Sequence, residues 1–441
     1  MKTVVLVYSG GLDTSVCIPM IREDYGFDRV VTVTVDVGQP AEDIREAEGK
    51  AKALGTEHYT VDAKEEFARD FIFPAIKANG DYEGYPISTS IARPLIALKG
   101  VQVAKKVGAD AFCHGCTGKG NDQFRIEFVM RAFMPQARII APMREKNLTR
   151  VEEIDYAKRK GVPIAQSVEK IWSIDENMWG RSIEGGRLEE PDYVPPEEIY
   201  KWTRSPQNAP NQPRDIELGF EKGMPVSIDG QTLSPANLVL EMNRIAGENG
   251  VGRIDIMEDR MMGLKVRENY ECPAAVTILT AHKALEALIC TRDELRFKSL
   301  VDREWGKLAY EGLWFDPFKE DLDAFINRIQ ERVTGTVKLR LCKGSARVIG
   351  RASKHALYSE DLASFDTKTF DQTKMEGMVA IHGLQARMGM EVARKLSGKL
   401  TDEESNRLLE NLREETRAAG AGEQAYRKAM RELEASEEED R

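Results

Sequence analysis

The chain has 441 residues, 41% hydrophobic and 31% charged, with a formal net charge of −10. That size and balance fit a well-folded globular protein of two or three domains, and the acidic excess argues against a general nucleic-acid-binding face, which must be basic to neutralise phosphates. No apolar window reaches the length of a membrane span, and the N-terminal apolar run ends at glycine after five residues, so neither a signal peptide nor a membrane partner is expected.

In chain order, the β-branched run Val4–Tyr8 breaks abruptly into Ser9-Gly10-Gly11-Leu12-Asp13-Thr14-Ser15. The pattern predicts a strand, a tight turn and a helix N-terminus. Glycines let backbone approach a ligand closely, and the first N–H groups of a helix are unpaired donors at the positive end of its dipole. With the hydroxyls of Thr14 and Ser15, this segment is a candidate phosphate cradle. It is neither the G-x-G-x-x-G of dinucleotide folds nor a Walker loop; Gly118-Lys119 is followed by Gly120 and lacks the upstream glycine spacing.

Further apolar runs at Val30–Val37, His58–Val61, Ala111–Cys113 and Arg138–Ala141 alternate with helical stretches at Ala41–Leu54, Lys64–Lys77, Ile91–Val107, Asp122–Phe133 and Val151–Lys160. Alternation of this kind predicts a parallel sheet covered by helices on both faces, with ligands at the carboxyl ends of the strands. The Gly-Gly turn, Asp36-Val37-Gly38-Gln39 and His114-Gly115 each follow a strand, so all three are expected at that edge.

The texture changes near Ala165. Trp172 to Pro213 reads as too irregular for simple elements. Strand-like runs follow at Ile216–Phe220, Pro225–Ile228 and Arg253–Ile256, with helices near Ala236–Gly247 and Thr277–Cys290, and a hairpin pairs Val337–Leu341 with Ala346–Arg351 across Lys343-Gly344. The expected organisation is an α/β nucleotide-binding domain over 1–165, an α+β domain over 166–395 and a C-terminal helical tail over 396–441. That tail is rich in acidic residues. Its loose stripe of Leu408, Leu409, Leu412, Ala419, Tyr426, Met430 and Leu433 suggests a helix that docks on another subunit.

The densest polar cluster is His114-Gly115-Cys116-Thr117-Gly118-Lys119-Gly120-Asn121-Asp122-Gln123-Phe124-Arg125. Its glycines let the loop fold around a ligand, Asn121 and Asp122 are placed to cap the next helix, and Arg125 lies one turn inside it. Ser9 to Ser15 resembles the SGGxDS loop of the ATP pyrophosphatases, which split ATP between its α- and β-phosphates. Together the two loops resemble the argininosuccinate synthase family. The resemblance continues through Tyr82-Glu83-Gly84-Tyr85-Pro86, Ser88-Thr89-Ser90-Ile91-Ala92-Arg93-Pro94, Trp172 to Asn177, Trp179 to Glu184, Gly250 to Asp255, Glu258 and Tyr270-Glu271, and so covers about Val4 to Gly389.

This resemblance implies a fold of the ATP pyrophosphatase type followed by a synthetase domain. It also implies an enzyme that joins citrulline and aspartate at the expense of ATP, giving argininosuccinate, AMP and pyrophosphate in arginine biosynthesis. Tyr8, Ser9, Gly10, Gly11, Leu12, Asp13, Thr14 and Ser15, with Val35 by main chain and Gly115, are then expected to hold ATP. Tyr85, Ser90, Asn121, Arg125, Ser173, Ser182, Glu258 and Tyr270 are expected at citrulline, and Thr117, Asn121 and Asp122 at aspartate. Asp13, Asp122 and Arg125 are the side chains expected to act in catalysis. Mg²⁺ is expected to bridge phosphates, with Asp13 or Asp122 as candidate partners, and a homotetramer is implied.

The chemistry suits these residue types. Carboxylates meet ammonium groups, Arg125 can fork onto a carboxylate, and hydroxyls orient a neutral ureido group; a buried zwitterion needs each charge paired. Adenylating the ureido oxygen gives its carbon a leaving group, so positioning and electrostatics carry the catalysis. The residues name no clear base for the aspartate amine. His114 serves either as one or as a hydrogen-bonding loop residue, with phosphate or water as the alternative acceptor.

Cys113-His114-Gly115-Cys116 admits a metal- or sulfur-carrying reading, but no second cysteine pair accompanies it. Six scattered cysteines point instead to buried free thiols in the cytoplasm. A glutamine-dependent amidotransferase would need a reactive glutaminase cysteine, which has no evident candidate. A mere nucleotide sensor would not need the polar residues beyond the ATP loop.

Overall fold

The first strand is apolar on both sides because both of its faces are covered. β1 (Thr3–Val7) sends Val5 and Val7 into one core and Val4 and Leu6 into another, as a parallel strand sandwiched between helix layers must. The computed structural model describes residues 2–163 and 172–398, with scattered positions between 401 and 414. It divides into two compact units, Met1–Leu357 and Tyr358–Arg441.

The first unit opens β1, α1 (Leu12–Glu23), β2 (Arg29–Asp36), α2 (Ala41–Ala53), β3 (Glu57–Asp62), α3 (Lys64–Phe67) and α4 (Phe73–Lys77), the last two joined by a π-helical turn, Ala68–Ile72. A two-residue ribbon, β4 (Asp81–Tyr82) and β5 (Tyr85–Pro86), leads into α5 (Thr89–Val107). Then follow β6 (Ala111–Cys113), α6 (Asp122–Phe133), β7 (Arg138–Ile140), α7 (Pro142–Lys146) and α8 (Arg150–Lys160). The sheet runs β3-β2-β1-β6-β7, all parallel. The chain winds outward from β1 to β3 on one side and continues at β6 on the other, so β1 and β6 flank the point where strand order reverses. Open α/β sheets bind ligands there.

The second half departs from expectation in one place. The stretch read as irregular holds an antiparallel hairpin, β8 (Ser173–Asn177) and β9 (Gly180–Glu184). After it come β10 (Arg214–Glu221), β11 (Met224–Ile228), β12 (Gln231–Thr232), α9 (Pro235–Glu248), β13 (Arg253–Asp259) and β14 (Lys265–Glu271). α10 (Pro273–Ile289), α11 (Arg292–Tyr310), α12 (Pro317–Gln330), β15 (Gly335–Cys342) and β16 (Ser345–Ala352) complete the unit. Two antiparallel sheets result, β12-β11-β10-β15-β16 and β13-β14-β9-β8. The β15–β16 hairpin turns at Lys343-Gly344 as predicted, both residues at positive φ.

The four-stranded sheet has no apolar alternation because its burial is ionic. Arg181 donates to Glu176 at 3.1 Å and to Glu271 at 2.9 Å, and the fully buried Glu271 also accepts the N–H groups of Lys201, Trp202 and Thr203, each at 2.9 Å. One carboxylate thus ties a long loop to the sheet through charge-assisted bonds.

In the second unit the described residues form α13 (Glu360–Ala363), α14 (Met375–Ile381) and α15 (Leu384–Leu396). The apolar stripe from Leu408 to Leu433 lies outside the described residues. Among the described residues, no helix is long and apolar enough to cross a membrane.

Candidate active site

Two loops leave the carboxyl ends of the adjacent strands β1 and β6, and they touch. In the first, Gly10 has φ +77° and packs its α-carbon where an added Cβ would stand 2.7 Å from the Ala47 Cβ. Lys50 holds the Gly10 carbonyl at 2.9 Å. The buried hydroxyls of Tyr8 and Ser15 pair at 2.9 Å, and those of Ser9 and Thr14 at 3.2 Å. No side chain caps α1 at Gly11, so its opening N–H groups face outward beside Leu12, Asp13 and Thr14, the arrangement an anion requires. Asp13 sits at the mouth, joined to Arg150 at 2.9 Å. The second loop lies close against the first: a Cβ on Gly115 would stand 2.8 Å from the Thr14 side chain and 3.1 Å from its backbone nitrogen. Beyond β2, the Val35 carbonyl accepts from the Gln39 amide at 2.8 Å, and Val37 accepts the Met178 N–H at 3.0 Å. The third loop therefore abuts the β8–β9 turn, and all three expected loops share the sheet edge.

Beside them the four-stranded sheet presents a polar face. Across its register Tyr270 pairs with Ser182 and Ser182 with Asp175, so these side chains form one row. Glu258, four residues along β13 from the residue opposite Tyr270, shares that face. Its carboxylate accepts the hydroxyl of Tyr270 at 2.9 Å and of Tyr310 at 2.5 Å. The Tyr85 ring stacks on Tyr270 with centroids 4.4 Å apart, and Tyr82 stacks on Tyr310 at 3.6 Å. Burial, with Glu258 close by, pushes the phenols of Tyr85, Tyr270 and Tyr310 upward, which keeps them as neutral donors. Ser90 lies in the first turn of α5, buried, its hydroxyl without a partner among the described residues, and so does the neighbouring Ser88. Ser173, at the start of β8, is exposed, as is Thr117 in the second glycine loop.

α6 brings its residues to this face, but not as caps. Asn121 occupies the N-cap position without a capping hydrogen bond. Its amide instead donates to the Tyr310 hydroxyl at 2.8 Å and accepts from the Met261 N–H at 3.2 Å. Asp122 likewise turns away, pairing with Arg93 at 2.7 Å and Arg125 at 2.9 Å. Burial works against its charge, but the two guanidiniums prevail and hold its carboxyl below the usual aspartate range. Arg125 also donates to the Tyr310 carbonyl at 2.9 Å, and Arg93 reaches Asp175 at 2.6 Å. The pocket selects these contacts over caps because they satisfy buried charges that a cap would leave unpaired.

Sequence reasoning missed Tyr310, Tyr82, Arg93 and Asp175 as members of this network. Arg93 and Asp175 stood inside quoted motifs without a role. Tyr310 carried no local signal, ending an amphipathic helix whose buried face looks like core.

His114 is fully buried. Its Nδ1 accepts the Cys116 N–H at 3.2 Å, which leaves Nε2 to donate to Glu127 at 3.1 Å. Both ring nitrogens are thus committed to holding the loop, and the hydrogen-bonding reading of His114 fits the geometry. The cysteines are free thiols; burial pushes Cys116 far above the ordinary thiol range. Among the described residues, no group of three or more His, Cys, Asp or Glu side chains is placed to hold a metal.

Comparison with known proteins finds two family domains in the chain. Residues 3–163 fit the arginosuccinate synthase N-terminal HUP domain, and residues 172–389 fit the arginosuccinate synthase C-terminal domain. The chain is 60% identical over 394 residues to the argininosuccinate synthase of Methanosarcina barkeri, covering 89% of this chain and 99% of the relative. To that of Methanocaldococcus jannaschii it is 61% identical over 388 residues, covering 88% and 98% respectively. With both family domains matched and relatives this similar along almost their whole length, the chain belongs to the argininosuccinate synthase family.

Proposed function

We propose that this chain ligates L-citrulline and L-aspartate to argininosuccinate, consuming ATP and releasing AMP and pyrophosphate, as a cytoplasmic enzyme of arginine biosynthesis. The observation that supports this best is the packing of Gly115 on Thr14. It gives a phosphate cradle and a pocket for a polar amino acid a common wall, as transfer of AMP to a bound substrate requires.

In this reading ATP lies along Tyr8 to Ser15, against Val35 and Gly115, with its β- and γ-phosphates at the start of α1. Citrulline lies between Tyr85, Ser90, Asn121, Arg125, Ser173, Ser182, Glu258 and Tyr270. Its ureido oxygen attacks the α-phosphorus, an O–P bond forms, and the bond to pyrophosphate breaks. The outward N–H groups of α1 receive the departing anion. The amine of aspartate, held by Thr117, Asn121 and Asp122, then attacks the ureido carbon and AMP leaves. Glu258 sits where positive charge develops on that carbon. Asp122, ionised between two arginines, and the buried Arg125 supply fixed charges that need no rearrangement during the reaction. Substrate phosphate or water takes the amine proton, since His114 is committed at both nitrogens. Bound Mg²⁺ would supply charge neutralisation at the phosphates. Asp13, which is ion-paired through one oxygen only, or Asp122, whose two oxygens each face a guanidinium, would hold it. Residues 1–165 would then hold ATP and also contribute Tyr85, Ser90, Thr117, Asn121, Asp122 and Arg125 to the amino acids, 166–395 would contribute Ser173, Ser182, Glu258 and Tyr270, and 396–441 would serve assembly of a homotetramer.

The deciding experiment uses citrulline labelled with ¹⁸O in its ureido group, incubated with Mg·ATP and aspartate. Label in the AMP phosphate is the expected result. Pyrophosphate released without labelled AMP would overturn the proposed acceptor, and no release would overturn the ligase reading.

A further inference from the structure

The outer side of α6 carries a hydrogen-bonded frame that the reaction scheme does not use. Gln123 is buried there; its amide nitrogen donates to the carbonyls of Gly118 at 2.9 Å and Gly120 at 3.0 Å. Its amide oxygen accepts from Arg144 at 2.9 Å. Arg144 also pairs with Glu127 at 2.7 Å, and Glu127 accepts a hydrogen bond from the His114 Nε2–H. His114 in turn holds the Cys116 N–H. The circuit therefore grips the second glycine loop at its entrance, through Cys116, and at its exit, through Gly118 and Gly120.

Between those grips stands Thr117, exposed, and immediately after them Asn121 and Asp122. A loop with glycines at 115, 118 and 120 has many accessible backbone conformations, and holding it in one of them costs conformational entropy at every residue. Two bonds from one side-chain nitrogen to carbonyls two residues apart select a single curvature.

We propose that Gln123 is a positioning residue for the second half-reaction: it sets the curvature of the 115–121 loop so that Thr117, Asn121 and Asp122 meet aspartate. This rests on the assignment of those three residues to aspartate made above. Gln123 itself touches no substrate, and the phosphate loop and the Glu258–Tyr270–Tyr310 cluster stand without it.

Two substitutions isolate the role. Gln123→Glu keeps the size and the acceptor for Arg144 but turns a donor into an oxygen facing two carbonyls. Gln123→Met keeps the length and removes all three bonds. Each variant is tested as the full chain, by steady-state kinetics and by rapid-quench measurement of pyrophosphate formed on the enzyme from ATP and citrulline without aspartate. The expected result is at least a tenfold rise in the KM for aspartate in both variants, with a clearly smaller rise in the KM for citrulline, which shares Asn121, and the rate of the aspartate-free step at saturating citrulline unchanged. Equal damage to all three substrates and to the aspartate-free step would overturn the proposal, marking Gln123 as a general packing residue. Unchanged aspartate kinetics would also overturn it. A wild-type chain that forms no pyrophosphate from ATP and citrulline would instead overturn the reading on which the proposal rests.

Discussion

The loop proposed to hold phosphates and the pocket proposed to hold an amino acid are built in opposite ways. Residues 8–15 are consecutive in the chain, and what they present is backbone: a glycine turn and the uncapped start of α1. The pocket draws Tyr85, Asn121, Glu258, Tyr270 and Tyr310 from five separate elements and joins them side chain to side chain. The difference follows from the ligands. A phosphate is satisfied by N–H donors that any residue carries, so a local turn suffices. An amino acid with a neutral ureido group offers directional donors and acceptors, which only particular side chains at particular angles can match. The loop is therefore sensitive to backbone change and the pocket to functional-group change.

The largest effect is expected in the pocket. Glu258→Gln removes the charge and leaves one acceptor oxygen for two buried tyrosine hydroxyls. Breaking a buried hydrogen-bonded charge costs about 3–5 kcal/mol, or about 10²–10⁴-fold in rate terms. Steady-state kinetics should show that fall in kcat/KM for citrulline with the KM for ATP unmoved. A parallel loss in ATP binding would break the separation of the two regions. The complementary change is Gly10→Ala, which adds one methyl. At φ +77° an L-residue loses about 1–2 kcal/mol, and the crowding against Ala47 adds about 1–3 kcal/mol. A rise of at least about tenfold in the KM for ATP is expected, with the KM for citrulline unchanged. A Gly10→Ala chain with normal ATP kinetics would mean that side chains, not backbone, hold the phosphates.

The same contrast explains what was legible in the sequence. The parallel sheet was readable because β1 and β2 are rich in β-branched residues and buried on both faces, and the glycine loop after β1 because its residues are contiguous. The β8–β9 hairpin was not, since its strands alternate site-facing polar residues with the ion pair of buried Arg181 and half-buried Glu176, and apolar periodicity is the signal for strands. Asn121 and Asp122 were read as caps, but neither makes a capping hydrogen bond. The local rule that favours Asn and Asp at an N-cap gives way here to partners on α5 and α11 that no local window contains. Tyr310 shows the limit most clearly: a helical tyrosine becomes a site residue only when the fold places Glu258 opposite it.

The smallest expected effect lies in the frame behind both regions, and it is a matter of pH. Glu127 collects His114 at 3.1 Å, Arg131 at 2.7 Å and Arg144 at 2.7 Å. Burial alone would raise its pKa, but these donors outweigh it and bring the carboxyl from 4.5 down to about 2. A folded-state pKa below the unfolded one means the native state holds its charge more firmly. The stabilisation is therefore full above about pH 4.5 and is lost as the pH falls towards about 2. Glu127→Gln keeps the shape and cannot titrate. Urea unfolding of the two chains side by side should give a difference of about 2 kcal/mol at neutral pH, the scale of a hydrogen bond to a charged group. Arg131 is largely exposed and adds little. The difference should close between pH 4.5 and 2, because the wild-type carboxylate is then neutralised as well. A difference constant across that window would trace the stability to shape rather than charge. Because Glu127 lies in neither the phosphate loop nor the tyrosine cluster, the KM values for ATP and citrulline should stay in place while stability moves, separating the frame that holds the loops from the surfaces that meet the substrates.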